Sequence, residues 1–195
     1  SVNTPASREL KLVLKNLTIT PAEAIAPIQI NGASQVITYL EGENKISINK
    51  SENSSSPAGI SVAKGAKLTI DSEPGQQGSI EVLNNTKVSK TGAAIGGNGE
   101  QDAGIIHIKG GTVTATSASG SDGAAIGASS EKNVKEIRIS GGTVTAETTS
   151  NGAGIGTGGA FRNEERTGKI VIEGGTVNAS SWKRAGIGSG SGYAA

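Results

Sequence analysis

The residues able to do chemistry are few. His107 is the single histidine, and Asp occurs only at 71, 102 and 122. A polysaccharide lyase would need a base together with acidic calcium ligands on one surface. In the repeat alignment developed below no two of these aspartates are equivalent. The outward residues ranked with His107 read Glu81, Arg138 and Val171, with Lys109, Ser140 and Glu173 beside them. That arrangement reads as a solvated charged face, so no catalytic residue is assigned and the chain is expected not to be an enzyme; a lyase is the third reading. Cys is absent, which excludes disulfides and thiolate chemistry.

Two Gly-rich motifs invite cofactor readings. Gly154-Ile155-Gly156-Thr157-Gly158-Gly159 has Gly at the first, third and sixth places of a dinucleotide loop, but no helix is readable after it. It reads as a strand end and loop. Gly96-Gly97-Asn98-Gly99-Glu100-Gln101-Asp102 approaches the calcium-binding nonapeptide of parallel β-rolls. Gln101 stands where that pattern has Asp, and the motif occurs once. A plain loop is preferred and no cofactor is expected, with an isolated calcium held by Glu100 and Asp102 as the alternative.

Sugar sites commonly use aromatic faces, and the chain has only Tyr39, Phe161, Trp182 and Tyr193. Phe161 follows one copy of a repeated phrase and Trp182 precedes the next, which sets them on one side. With Arg162, Lys183 and Arg184 they form a candidate patch for an acidic sugar; the competing reading is loop aromatics shielding the core.

What must position these residues is a repeat. Gly110-Gly111-Thr112-Val113-Thr114-Ala115 recurs as Gly141-Gly142-Thr143-Val144-Thr145-Ala146 and Gly174-Gly175-Thr176-Val177-Asn178-Ala179, at spacings of 31 and 33. An Ile-x-Ile precedes each copy, at Ile106, Ile137 and Ile170. An Ala/Gly-Ile-Gly phrase, at Ile95, Ile126, Ile155 and Ile187, recurs at spacings of 31, 29 and 32. Looser versions at Ile28, Ile60, Leu68 and Ile80 carry the repeat back to about Leu10.

Each phrase alternates with period 2, so each is a short strand, and no helical period is sustained. Gly-Gly supplies a corner, because Gly accepts positive φ without steric cost. A repeating three-strand unit must wind into a solenoid in which one coil cannot bury enough to fold alone. The expected fold is all-β, a right-handed parallel β-helix of about six coils of about 30 residues, forming one domain over 1–195. Side loops fall at 128–135 and 157–169.

This layering ranks side chains. The outward pairs Thr112/Thr114, Thr143/Thr145 and Thr176/Asn178 read as ordinary strand decoration, with an ice-binding array as the minor alternative. If Ala93, Ala124, Ala153 and Ala185 point inward, then Ala94, Ala125, Gly154 and Gly186 make an outward ladder almost without side chains. A polysaccharide, a partner chain or the protein's own loops could lie flat on such a floor; the competing reading is that small residues merely allow a tight turn.

Composition agrees with a narrow layered interior: hydrophobic residues make up 34% and aromatics 2%. Net charge is +1, with Lys+Arg 18 against Asp+Glu 17, and no stretch of one sign could follow a phosphate backbone, so nucleic acid is not an expected partner. No apolar run approaches the roughly 18 residues of a membrane span, so no membrane insertion is expected. The last residues, Gly188 to Ala195, stop where another Ile-x-Ile would begin, which suggests a fragment of a longer surface protein.

The phrases Gly-Ala-Ala-Ile-Gly and Ile-x-Ile-x-Gly-Gly-Thr-Val-Thr-Ala resemble a family of bacterial extracellular carbohydrate-binding β-helix proteins, related in architecture to pectate lyases. The likeness reaches back to Pro27–Ile48. It implies a secreted or cell-surface, non-catalytic binder of acidic or plant cell-wall polysaccharides, some members carrying calcium. The family's repeats often have Asp before Gly-Ile; the matching positions here are Thr91, Asp122, Asn151 and Arg184, of which only Asp122 fits. The alternative is a structural or adhesive repeat module of a bacterial cell-surface protein, contacting a host or cell-surface ligand.

Overall fold

The computed structural model describes residues 9–52, 55–88, 90–99, 101–118, 122–149, 151–159 and 168–190. Each coil lays down three strands. The first sheet holds β1 (Glu9–Lys15), β4 (Gln35–Glu41), β8 (Lys67–Asp71), β12 (Ala103–Ile108), β15 (Val134–Ile139) and β18 (Lys169–Ile172). The second holds β2 (Thr18–Ile19), β5 (Glu43–Ile48), β9 (Ser79–Asn84), β13 (Thr112–Ser117), β16 (Thr143–Thr148) and β19 (Thr176–Ser181). The third holds β3 (Ile28–Ile30), β7 (Ile60–Val62), β11 (Ile95–Gly96), β14 (Ile126–Gly127), β17 (Ile155–Gly156) and β20 (Ile187–Gly188). Two short strands, β6 (Ser55–Ser56) and β10 (Lys90–Thr91), pair outside these sheets.

All ladders between these strands are parallel, and each coil rises to the next through the same connection, so the chain is a right-handed parallel β-helix with three six-stranded sheets. The step between equivalent residues varies, from Leu10 to Val36 at the start to Leu68 to Ile106 in the middle, because the loops between strands differ while the register does not.

Alternation places like on like. Val36, Leu68, Ile106 and Ile137 stack in one inward column, Ile80, Val113 and Val144 in another, and Ile60, Ile95, Ile126 and Ile155 in a third, all buried. At the Gly-Gly corners Gly111, Gly142 and Gly175 have φ of +78°, +79° and +86°, which is why that pair turns the chain from first to second sheet.

Two asparagines replace apolar side chains in this interior. Asn44 Oδ1 accepts from the Leu17 amide, and its Nδ2 donates to the carbonyls of Leu14, Glu41 and Ser79. Asn84 donates to the carbonyls of Pro57 and Gly92. Each ties successive coils together where a corner leaves backbone groups without ladder partners.

Candidate functional site

The Ala-Ile-Gly strand is not an open floor. Ala94, Ala125 and Gly154 are buried and Gly186 is half-buried; Ala93, Ala124 and Ala153 on the opposite phase are buried as well. Ala94 and Ala125 belong to the core cluster with Ile95 and Ile126, so they face the interior. After each Ile-Gly the chain folds back: Ser130 donates its amide to Thr91 O, Glu131 to Gly159 O, Gly159 to Asp122 O, and Ser129 Oγ donates to Gln101 O. Small residues are required there because backbone approaches backbone; a Cβ on Gly158 would lie 2.2 Å from Ser129 O. The expected outward ladder of Ala94, Ala125, Gly154 and Gly186 is therefore corrected to an interior seam. A strand of two residues is too short for alternation to expose a face.

Trp182 stands out on the opposite ground: it is 72% exposed, the most exposed of the large hydrophobic side chains described. Its amide donates to Thr148 O, as Thr149 donates to Ser117 O, Ala118 to Asn84 O and Asn85 to Ile48 O. Trp182, Thr149, Ala118 and Asn85 thus form one column just past the second sheet. Asn85 Nδ2 bonds Asn49 Oδ1 at 3.0 Å, which extends it one coil further. The column runs along the solenoid axis with one residue per strand spacing of about 4.8 Å.

Lys183 and Arg184 share this end of the column. Lys183 Nζ lies 4.8 Å from the Trp182 ring centroid, a cation–π contact. The Arg184 amide donates to Ser181 Oγ, and its Nε is buried without a hydrogen-bond partner. Beneath them lies Asp122, buried, accepting from Asn151 Nδ2 at 2.7 Å and donating its amide to Thr91 Oγ1. Burial pushes the Asp122 carboxyl up from its ordinary value, against the Asn151 bond and the charges of Lys183 and Arg184. Phe161 and Arg162, the other half of the expected patch, lie outside the described residues.

Of the expected calcium pair only Asp102 is among the described residues. Glu100 lies outside the described residues, and Asp102 is already engaged: Oδ1 accepts from the Asn133 amide and Oδ2 from Lys64 at 3.3 Å. Burial alone would raise the Asp102 carboxyl, but these partners outweigh it and hold it below its ordinary value. Among the described residues no three His, Asp or Glu side chains gather as a metal-binding group.

On the first sheet's outer face the residue level with His107 is Thr69, not Glu81. Glu81 belongs to the second sheet, between Lys45 and Thr114. The misplacement arose because Leu68-Thr69-Ile70 and Ile80-Glu81-Val82 alternate alike, and only the corner between them says which sheet each joins. His107 Nε2 lies 2.9 Å from Ser140 Oγ. Burial and then the charges of Lys67, Arg138 and Lys109 lower its pKa from the ordinary histidine value. The acids nearby are taken up in ion pairs: Arg138 binds both carboxylate oxygens of Glu173 at 2.7 Å and one of Glu136 at 3.2 Å, and Lys109 binds Asp71.

Two polar clefts escaped sequence reading. One, of ≈ 430 Å³, lies on the second sheet around Thr18, Glu43, Lys45, Glu81 and Thr114, with Lys45 and Glu81 paired at 2.6 Å. The other, of ≈ 390 Å³, follows the Gly-Gly corners between Gln76, Gln77, Thr112 and Thr143. Nothing in local sequence signals either, because both are made by residues a full coil or more apart. Among the described residues no helix is long and apolar enough to cross a membrane.

Comparison with known proteins bears on the architecture. A family model described as Beta helix repeat matches residues 106–130, 137–159 and 170–191. Each match covers one coil from the inward Ile of the first sheet past the Ile-Gly strand, in phase with the ladders. No curated protein and no solved structure matches the chain. Sequence repeats and strand topology together make this chain a parallel β-helix protein whose last three coils carry β-helix repeats.

Proposed function

We propose that the chain is a non-catalytic, extracellular carbohydrate-binding module that holds a polysaccharide on the column ending at Trp182. The observation that carries this is the indole itself: an aromatic 72% exposed, in a chain with 2% aromatics, with Lys183 over its ring and Arg184 beside it. Leaving it in water sacrifices its burial, which a sugar ring stacked on it would restore. Lys183 and Arg184 favour acidic sugars, and Thr149, Asn85 and Asn49 continue the line with hydroxyl and amide groups. Retention on a panel of acidic and neutral plant and host glycans tests it. Retention by acidic glycans, lost in Trp182→Ala and weakened by salt, is expected; no retention of any glycan refutes it.

The second reading, a structural or adhesive repeat of a bacterial surface protein, is favoured by a different observation, the poverty of aromatics, 2% of the chain. Catalysis is not part of either reading, and the engaged acids around His107 support leaving it out. Formation of unsaturated products from polygalacturonate would overturn that.

A further inference from the structure

The two polar clefts on the second sheet form one trough. Gly78, lining one cleft, is followed directly by Ser79, lining the other, and Ser79 lies level with Thr112 as Glu81 lies level with Thr114. The trough follows the solenoid axis along one outward column, Glu43, Ser79, Thr112 and Thr143, one residue per coil. At about 4.8 Å per coil these four span roughly 14 Å. Their strands, β5, β9, β13 and β16, are all interior to the sheet, so the trough does not depend on where the sheet ends. The next outward column, Lys45, Glu81 and Thr114, forms one side. A loop forms the other: the corner after β8 runs over 72–78, whereas that after β12 is only 109–111, so Gln76 and Gln77 stand beside the shorter corner of the following coil. The Gln76 amide donates to Glu73 O at 2.9 Å and closes that loop into a turn.

We propose that this trough is a second glycan site and that its ligand is an uncharged oligosaccharide. A sugar hydroxyl both donates and accepts, and the lining offers both partners: carboxylates that accept, an ammonium that donates, and Gln and Thr side chains that do either. Lys45 and Glu81 pair at 2.6 Å while their side chains stay 47% and 41% exposed, so they present charge-assisted bonds with no net charge. Glu43 makes no ion pair among the described residues, which leaves the lining one negative charge in excess. That excess turns away acidic sugars, the reverse of the preference Lys183 and Arg184 set at Trp182. The trough lies at the start of the second-sheet strands and the Trp182 column just past their ends. The six residues of β16 separate the two by roughly 20 Å, well over the screening length of about 8 Å at physiological salt. Each site can therefore fail without the other.

Amide NMR spectra of the isotope-labelled chain test the proposal, with short gluco-, xylo- and manno-oligosaccharides as probes beside oligogalacturonate. An uncharged oligosaccharide is expected to shift the amides of Gly78, Gly111, Thr112 and Thr143 saturably, equally at low and high salt, and to leave the Trp182 indole resonance in place. Lys45→Gln with Glu81→Gln removes the charges and keeps the side-chain shapes, and is expected to weaken this binding about tenfold. Thr176→Ala, on the same face outside the trough, is expected to leave it unchanged, both variants keeping the circular dichroism spectrum of the unaltered chain. Trough amides that stay fixed with every uncharged oligosaccharide at millimolar concentration, or shifts that the double variant leaves intact, overturn the proposal. Preferential shifting of the same amides by oligogalacturonate overturns the assignment of an uncharged ligand; oligogalacturonate shifts confined to Trp182 support the separation of the two sites.

Discussion

Gly127→Ala probes how coil stacking depends on one column of glycines. Gly127 has φ of +137°, and a Cβ built on it would lie 1.9 Å from Gly156 O in the next coil. Gly96 and Gly156 repeat that geometry, but Gly188 does not: its φ is +133°, yet the nearest atom to its Cβ is Ala185 Cβ at 3.6 Å. Forcing Ala into such a φ costs about 1–3 kcal/mol. At Gly127 the Gly156 carbonyl must also move, and it accepts the Ala128 amide at 2.9 Å. Losing a buried backbone bond adds about 1–3 kcal/mol. Gly127→Ala should therefore destabilise by about 2–6 kcal/mol and Gly188→Ala by only the first part of that, about 1–3, the second lacking the clash. Urea unfolding followed by far-ultraviolet circular dichroism, in dilute protein, compares the two. Equal shifts in midpoint, or an unchanged Gly127→Ala midpoint, would refute the stacking geometry.

Asn44→Ala removes the acceptor of the Leu17 amide and the donor to the Leu14, Glu41 and Ser79 carbonyls and should cost about 2–4 kcal/mol by the same unfolding assay; Asn44→Asp should cost more, since it turns an acceptor toward those carbonyls. The folded chain holds the Asp122 proton more tightly than the unfolded chain, so that group's stabilisation is full below its ordinary value of 3.8 and lost as pH rises through the raised folded value. Unfolding from about pH 3 to pH 7 should show the unaltered chain losing stability relative to Asp122→Asn, and parallel curves would contradict this. Asp102 runs the other way: its lowered value stabilises the fold above 3.8 and the gain is lost as pH falls through the folded value, which Asp102→Asn should abolish.

Strands with several alternating residues were legible: the Thr-Val-Thr-Ala phrases became β13 and β16, and their period fixed which side chains stack inside. The Ile-x-Ile and Ile-Gly phrases likewise named their sheets. Alternation failed where it had too few residues to act on. At Ala93-Ala94-Ile95-Gly96 the strand proper is two residues long, and both alanines are buried, Ala94 within the core cluster beside Ile95. Glu81 was misplaced because period 2 says which face a side chain takes and nothing about which of three sheets it joins. Asn44 and Asn84 gave no signal, since burial of an asparagine depends on carbonyls brought within reach from other coils. Trp182 was legible as an aromatic beside two cations, but its column with Asn85 and Asn49 exists only once the coils are stacked.

Because Trp182 is the chain's single tryptophan, its fluorescence reports on the proposed site alone. Titrating the unaltered protein with acidic oligosaccharides such as oligogalacturonates is the most direct test. A saturable change in emission intensity with a shift to shorter wavelength, weakened in Lys183→Ala, is expected as a sugar ring covers the exposed indole. An emission spectrum that stays water-exposed at saturating concentrations of every acidic and neutral oligosaccharide would contradict the binding account.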